Sequence, residues 1–164
     1  MKNKSHYYKA TITWTGNNGT GTNNYRNYER SHKISIENKC DILGTSDPAF
    51  RGDKTKHNPE DLLLSSISSC HMLWYLHLCS ENGIVVQEYI DEVEGIMLET
   101  ENGGGHFSEV TLNPKVVIEN DNLIELAIDL HKKANELCFI ANSLNFKIYH
   151  NPKIIITEKN KTNH

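Results

Sequence analysis

Cysteine has the widest chemical reach of any residue in this chain, because a thiolate is both a strong nucleophile and a soft metal ligand. There are four, Cys40, Cys70, Cys79 and Cys138. Cys70 falls in a run where Leu63, Ile67, Cys70, Trp74 and His77 are spaced four, three, four and three, the signature of one helical stripe. A thiol in mid-helix gains nothing from the dipole at a helix end, so it becomes a nucleophile only beside a cation, and otherwise behaves as a small hydrophobe. His71, His77 and Cys79 around Cys70 raise the question of a metal. Helical spacing points them to different sides, and no Cys-x-x-Cys pair occurs, so no metal is expected. His77, on the Cys70 face, reads as a satisfied buried histidine, or with Trp74 as part of a pocket wall, and a Cys70–His77 pair would suit a thiol hydrolase. Cys79, on roughly the opposite side of the helix, and Cys40, in a loop, read as structural thiols.

The elements that must position these residues follow from periodicity and punctuation. Ala10, Ile12 and Trp14 alternate with polar residues from Tyr7 to Trp14, which predicts a half-buried strand, and Gly16-Asn17-Asn18-Gly19 predicts a turn. Residues Tyr25 to Ile36 predict an amphipathic strand, and Lys39 to His57 a long loop of the kind that is usually functional. A helix is then expected from a cap at Asn58, with Pro59 at its first position and Glu60 and Asp61 at its positive end, running to Asn82 and closed by Gly83. Val85 to Leu98 and Phe107 to Ile118 predict two strands joined through Asn102-Gly103-Gly104-Gly105. A second helix from about Leu123 to Leu137 carries Leu123, Leu126, Ala127, Leu130, Ala134 and Leu137 on one face, with Asn122 and Glu125 as a capping box. Cys138 lies just past it; Phe139 to Asn145 suggests a further turn, and Phe146 to Thr157 a last strand broken near Pro152. Strands, helix, strands, helix, strand is the order of an α+β domain rather than a βαβ repeat.

Composition bounds the function. At 164 residues the chain is expected to be one domain with its own core. A net charge of -4 with scattered Lys and Arg offers no concentrated basic surface, so no nucleic-acid partner is expected. No apolar run resembles a secretory signal or a membrane span, which predicts a cytoplasmic protein without a membrane partner. In that compartment four cysteines do not make a disulfide framework, and any disulfide is transient.

The block Asn58-Pro59-Glu60-Asp61-Leu62-Leu63, the small residues Ser65, Ser66, Ser68 and Ser69, and then Cys70 resembles the Asn-Pro-Glu-x-Leu…Cys signature of the OsmC/Ohr family, the osmotically inducible and organic hydroperoxide resistance proteins. The match includes the ten-residue step from Glu60 to Cys70. Cys138, with Ala141, Ser143 and Leu144 after it, is similar to that family's resolving-cysteine segment, although Phe139 stands where the family often has proline. The resemblance implies an OsmC-like α+β fold, two central helices packed against curved antiparallel strands in an intertwined homodimer with sites at the subunit interface. It also implies a cofactor-free peroxidase. In that reading the Cys70 thiolate attacks an organic hydroperoxide, the sulfenic acid condenses with Cys138, and a dithiol, lipoyl-type or other, reopens the disulfide. The family's thiolate is held by an arginine that a glutamate orients. Glu60 matches the glutamate; Arg51, shortly before the Asn-Pro-Glu block, is the favoured arginine, Arg26 the alternative, and Arg30 reads as a solvated residue. Ten residues at ~1.5 Å rise put Glu60 about 15 Å from Cys70 along a straight helix, so a site holding both needs a second subunit or a broken helix. Alternatives are a stress-induced binding protein of the same fold with little turnover, and the Cys/His hydrolase.

Overall fold

The computed structural model describes residues 4–157, which divide between Leu63 and Leu64 into two compact units. In the first unit, β1 (Thr11–Trp14), β2 (His32–Ser35) and β3 (Ile42–Gly44) form an antiparallel meander, with Ile12 opposite Ile34 and His32 opposite Gly44. All four residues of β1 are exposed, not half-buried as its alternation suggests, and Trp14 is held by donating its indole N–H to the Glu29 carbonyl at 2.8 Å. The strand expected over Tyr25 to Ile36 is confined to His32–Ser35. Asparagine chemistry is the reason: the Asn24 side chain accepts from the Arg26 N–H at 2.8 Å and its carbonyl from the Asn27 N–H at 3.0 Å, local turns that compete with a ladder. Part of the expected loop after Lys39 is ordered, since it supplies β3 and a 3-10 turn at Pro48–Phe50 capped by Asp47.

Helix α1 (Pro59–Glu81) starts as its sequence requires. Asn58 Oδ1 accepts from the Asp61 N–H at 2.7 Å, while Asp61 Oδ2 accepts from the Asn58 N–H at 3.3 Å, so each satisfies one orphan donor of the first turn. At the other end Gly83 takes φ +71°, the left-handed stop that a side chain would resist. Although no membrane-spanning run was expected, α1 is long and apolar enough to cross a bilayer by length and composition. Its fully buried stripe is Ile67, His71, Tyr75 and Cys79, one position round from the expected Leu63, Ile67, Cys70, Trp74, His77 face. That leaves Cys70 and Trp74 half-buried, and His77 is exposed rather than buried.

The second unit has two three-stranded sheets. Each of the two long strands expected there bends once and serves both: Val85 to Leu98 becomes β4 (Val86–Asp91) and β5 (Glu94–Glu99), and the return stretch becomes β6 (Gly105–Leu112) and β7 (Pro114–Ile118). The break falls where Pro114 has no N–H to give, and it is pinned by the Asn113 N–H donating to Asp91 Oδ1 at 2.7 Å. β5 and β6 make the expected hairpin, with Gly103 at φ +81°. The last strand is interrupted as expected, into β8 (Lys147–His150) and β9 (Lys153–Ile156), which add parallel to β6 and β7 and give the orders β5-β6-β8 and β4-β7-β9. Helix α2 (Ile124–Leu137) buries Ala127, Leu130, His131 and Ala134. Its approach is capped by Asn120, whose Oδ1 accepts from the Asn122 N–H at 3.1 Å, and the expected Asn122 cap is absent because residues 121–123 form a 3-10 turn first. Tyr75 and Cys79 of α1, Val116 and Ile118 of β7, and Ala127, Leu130 and Ala134 of α2 form one core. The α+β class holds, with mixed rather than purely antiparallel sheets.

Candidate functional site

Core packing of α1 and α2 in the second unit brings Cys70 and Cys138 together: their sulfurs are 2.8 Å apart. Cys70 lies in the middle of α1, about three turns from either end, whereas Cys138 is the residue at which α2 stops, with an extended backbone at φ -67° and ψ 112°. That break turns the Cys138 side chain back toward α1, and the 3-10 turn Ala141–Ser143 behind it donates the Ala141 N–H to Cys138 Sγ at 3.4 Å. All four cysteines are free thiols.

The two sulfurs differ in environment. Cys138 is buried, Cys70 half-buried. Burial, with the Cys70 thiol beside it, pushes the Cys138 thiol up to about 11, so Cys138 stays protonated at neutral pH. Among the described residues the only hydrogen-bond partner of Cys70 Sγ is Cys138. One turn beyond the pair, Trp74 meets Phe139 edge to face at 5.9 Å, and His77 at 5.8 Å. Leu73, Trp74 and His77 line an open apolar cleft, with Leu73 63% exposed. Phe139, in the position next to Cys138, thus becomes part of an aromatic rim.

The remaining site candidates sit as follows. Glu60 lies in the first turn of α1, and its Oε2 is buried without a hydrogen-bond partner among the described residues. α1 is unbroken, so the ten-residue separation of Glu60 and Cys70 keeps its length of about 15 Å. Arg51 ends the Pro48–Phe50 turn in the left-handed conformation at φ 69°, exposed, with its guanidinium 5.9 Å from the Tyr25 ring centre. Arg26 is exposed in the asparagine-rich turns. Arg30, read as a solvated residue, is instead fixed: it lies 4.2 Å over both the Tyr25 and Tyr28 rings and donates to the Tyr28 and Tyr25 carbonyls at 2.6 and 2.9 Å. Cys40 is exposed and Cys79 is buried against Tyr75, with burial raising its thiol pKa.

A group that periodicity alone did not single out lies behind the thiols. His71 on α1 and His131 on α2 stack in the interior with His71 Nε2 and His131 Nδ1 3.0 Å apart, and the half-buried His150 on β8 is tilted against His71. The usable signal is that His71 shares an i, i+4 stripe with Ile67, Tyr75 and Cys79, and that His131 sits between Leu130 and Ala134.

Comparisons with known proteins bear on the family and the fold. The family model described as OsmC-like protein matches residues 52–152, a span that includes Glu60, Cys70 and Cys138 and begins just after Arg51. Among solved structures, an OsmC-like protein of unknown function from Vibrio cholerae is 25% identical over 92% of this chain and all of its own, with a TM-score of 0.81. An organic hydroperoxide resistance protein from Elizabethkingia anophelis is 20% identical over 95% of this chain and all of its own, at a TM-score of 0.69. The organic hydroperoxide resistance protein OsmC of Legionella pneumophila is 16% identical over 92% of this chain and 98% of its own, at a TM-score of 0.65. A comparison with curated proteins gave no match. With its element order, its paired thiols and a family match over most of its length, the chain belongs to the OsmC-like protein family.

Proposed function

We propose that the protein is a two-cysteine peroxidase that reduces organic hydroperoxides. The observation that carries this reading is the pair of free thiols, Cys70 and Cys138, in contact at 2.8 Å in a chain of the OsmC-like family. The Cys70 thiolate attacks the terminal oxygen of the hydroperoxide, the O–O bond breaks, the alkoxide leaves and takes a proton as alcohol, and Cys70 becomes sulfenic acid. Cys138 then attacks the Cys70 sulfur, water leaves, and a disulfide forms; an external dithiol reopens it by exchange and carries away the two electrons' worth of oxidation. Two features support this division of labour. The half-buried Cys70 is the sulfur a peroxide can reach, and the buried, protonated Cys138 is unsuited to first attack but stands where a sulfenic acid would be trapped.

The rim of Leu73, Trp74 and Phe139 supplies apolar surface for an organic substituent, which favours alkyl hydroperoxides over hydrogen peroxide. Cys70 needs a cation, and Arg51, oriented by a Glu60 from a second subunit, fills that role in this reading, with Arg26 as the alternative. The hydrolase reading has less support: His77 is about 10 Å further along the helix axis than Cys70, and His71 is engaged in the core by His131. A binding protein of the same fold would have no use for a second thiol in contact with the first. The test is turnover of cumene hydroperoxide with dihydrolipoamide or dithiothreitol, in the protein and in Cys70→Ser. Consumption that Cys70→Ser abolishes is expected; equal consumption by both proteins rejects the assignment.

A further inference from the structure

We propose that the buried His71–His131–His150 cluster is an acid-sensitive bolt between α1, α2 and β8, which holds Cys70 and Cys138 within disulfide reach and releases them when it takes up protons. The placement is the first argument. His71 is the residue after Cys70, and His131 is two turns before Cys138 on the same helix, so the contact between the two rings spans the helix pair that carries the two sulfurs. Both imidazoles are 1% exposed, and the His150 ring lies 4.6 Å from that of His71.

The second argument is hydrogen-bond accounting. The 3.0 Å bond between His71 Nε2 and His131 Nδ1 needs one nitrogen with a proton and one without, so it exists only while at least one ring is neutral. The outer nitrogens, His71 Nδ1, His131 Nε2 and His150 Nε2, are buried and have no hydrogen-bond partner among the described residues. In the neutral pair the accepting ring already carries its proton on its outer nitrogen, so the first added proton goes to the donating ring's outer nitrogen and makes a buried cationic N–H with nothing among the described residues to receive it, and a second, on the accepting inner nitrogen, destroys the bond between the rings. The surrounding groups give little relief. From α1 the cluster is faced by Tyr75, stacked on His131 at 3.8 Å and itself packed on Tyr89 of β4, and from β4 by Asp91, whose charge reaches His150. Both phenols are held neutral by burial, and Asp91, whose charge favours protonation of His150, already accepts from Ser68 and from the Asn113 N–H. Burial and mutual repulsion accordingly hold His71 and His131 down at about 3. With the folded values below the ordinary ~6.5, the unfolded or opened chain binds more protons across the interval between them, so the packed state loses stability as pH falls below about 6.5.

The thiol pair itself reports the state of the bolt, without any need for peroxidase activity. The full chain is equilibrated with reduced and oxidised glutathione from about pH 7.5 to about pH 5, across the ordinary histidine range, and the Cys70–Cys138 disulfide is quantified. Exchange turns two protein thiols and one glutathione disulfide into one protein disulfide and two glutathione thiols. With every thiol protonated it takes up no protons, and any ionisation of Cys70 is common to all variants. The equilibrium constant of the native chain is expected to fall by about tenfold or more over this range, the effect of a one-unit shift on a single ring. In His131→Phe, which keeps a ring against Tyr75, and in His150→Phe, at a partly exposed position, the fall should be shallower than in the native chain, the more so in His131→Phe because it removes one of the two most buried rings, whatever the value at pH 7.5. A flat profile in the native chain overturns the proposal, and so do variant profiles of the same steepness. A protein that fails to consume hydroperoxide but shows the histidine-dependent profile would refute the proposed function and leave the bolt standing.

Discussion

A thiol attacks a peroxide as its anion, and Cys70 sits in mid-helix, where neither helix end lends positive potential. The stabilising charge therefore has to come from a side chain. If Arg51 supplies it, Arg51→Ala should slow alkylation of Cys70 by iodoacetamide at pH 7 several-fold, because less of the thiol is ionised, while Arg26→Ala leaves the rate within a factor of about two. The reverse ranking would transfer the role to Arg26. At this scale the sequence was readable where a residue's role follows from a motif: the Asn58 to Cys70 block pointed to the family, and Cys138 to its partner. The histidine cluster was not, because a titratable residue on an apolar stripe carries no sign of whether its neighbours from other elements will satisfy it. His71 and His131 are 60 residues apart and meet only through tertiary packing. Arg30 was misread for a similar reason, since its two tyrosine partners matter only once the asparagine turns fold them beneath it.

Elements place these residues, and α1 carries the most weight because it bears Glu60, Cys70 and His71. Its first turn depends on the reciprocal Asn58–Asp61 contacts, so Asn58→Ala should cost about 1 kcal/mol and lower the melting temperature by roughly 2–4 °C. An unchanged melting temperature would mean that water replaces the cap at no cost. Both helices, the Gly83 stop, the Gly103 hairpin and the break at Pro152 were legible because each rests on local chemistry. Strand lengths were not. Two alternating stretches read as single strands, but each bends near Asp91 or Asn113 to serve two sheets, and alternation is unchanged by a bend. The Tyr25 region failed for the opposite reason: β-forming tyrosines were outweighed by asparagine side chains that bond their own backbone.

At the scale of the whole molecule the central claims are chemical division between two thiols and assembly from two chains. An unbroken α1 keeps Glu60 and Cys70 about 15 Å apart along one helix, so under the proposed function a site that uses both would draw its Glu60 from a second chain. Glu60→Ala and Cys70→Ser should each be inactive alone and regain part of the hydroperoxide turnover when mixed under conditions that allow subunit exchange; a fully active monomer in sedimentation would contradict this. The division of labour is tested most directly by one measurement, which is to treat the reduced protein with a single equivalent of cumene hydroperoxide and map its disulfides by mass spectrometry. The account predicts a Cys70–Cys138 bond with Cys40 and Cys79 left as thiols, and in Cys138→Ser a Cys70 that proceeds to sulfinic acid as peroxide is added. A stable Cys70 sulfenic acid in the native chain, or a dominant bond from Cys70 to Cys79 or Cys40, would contradict it.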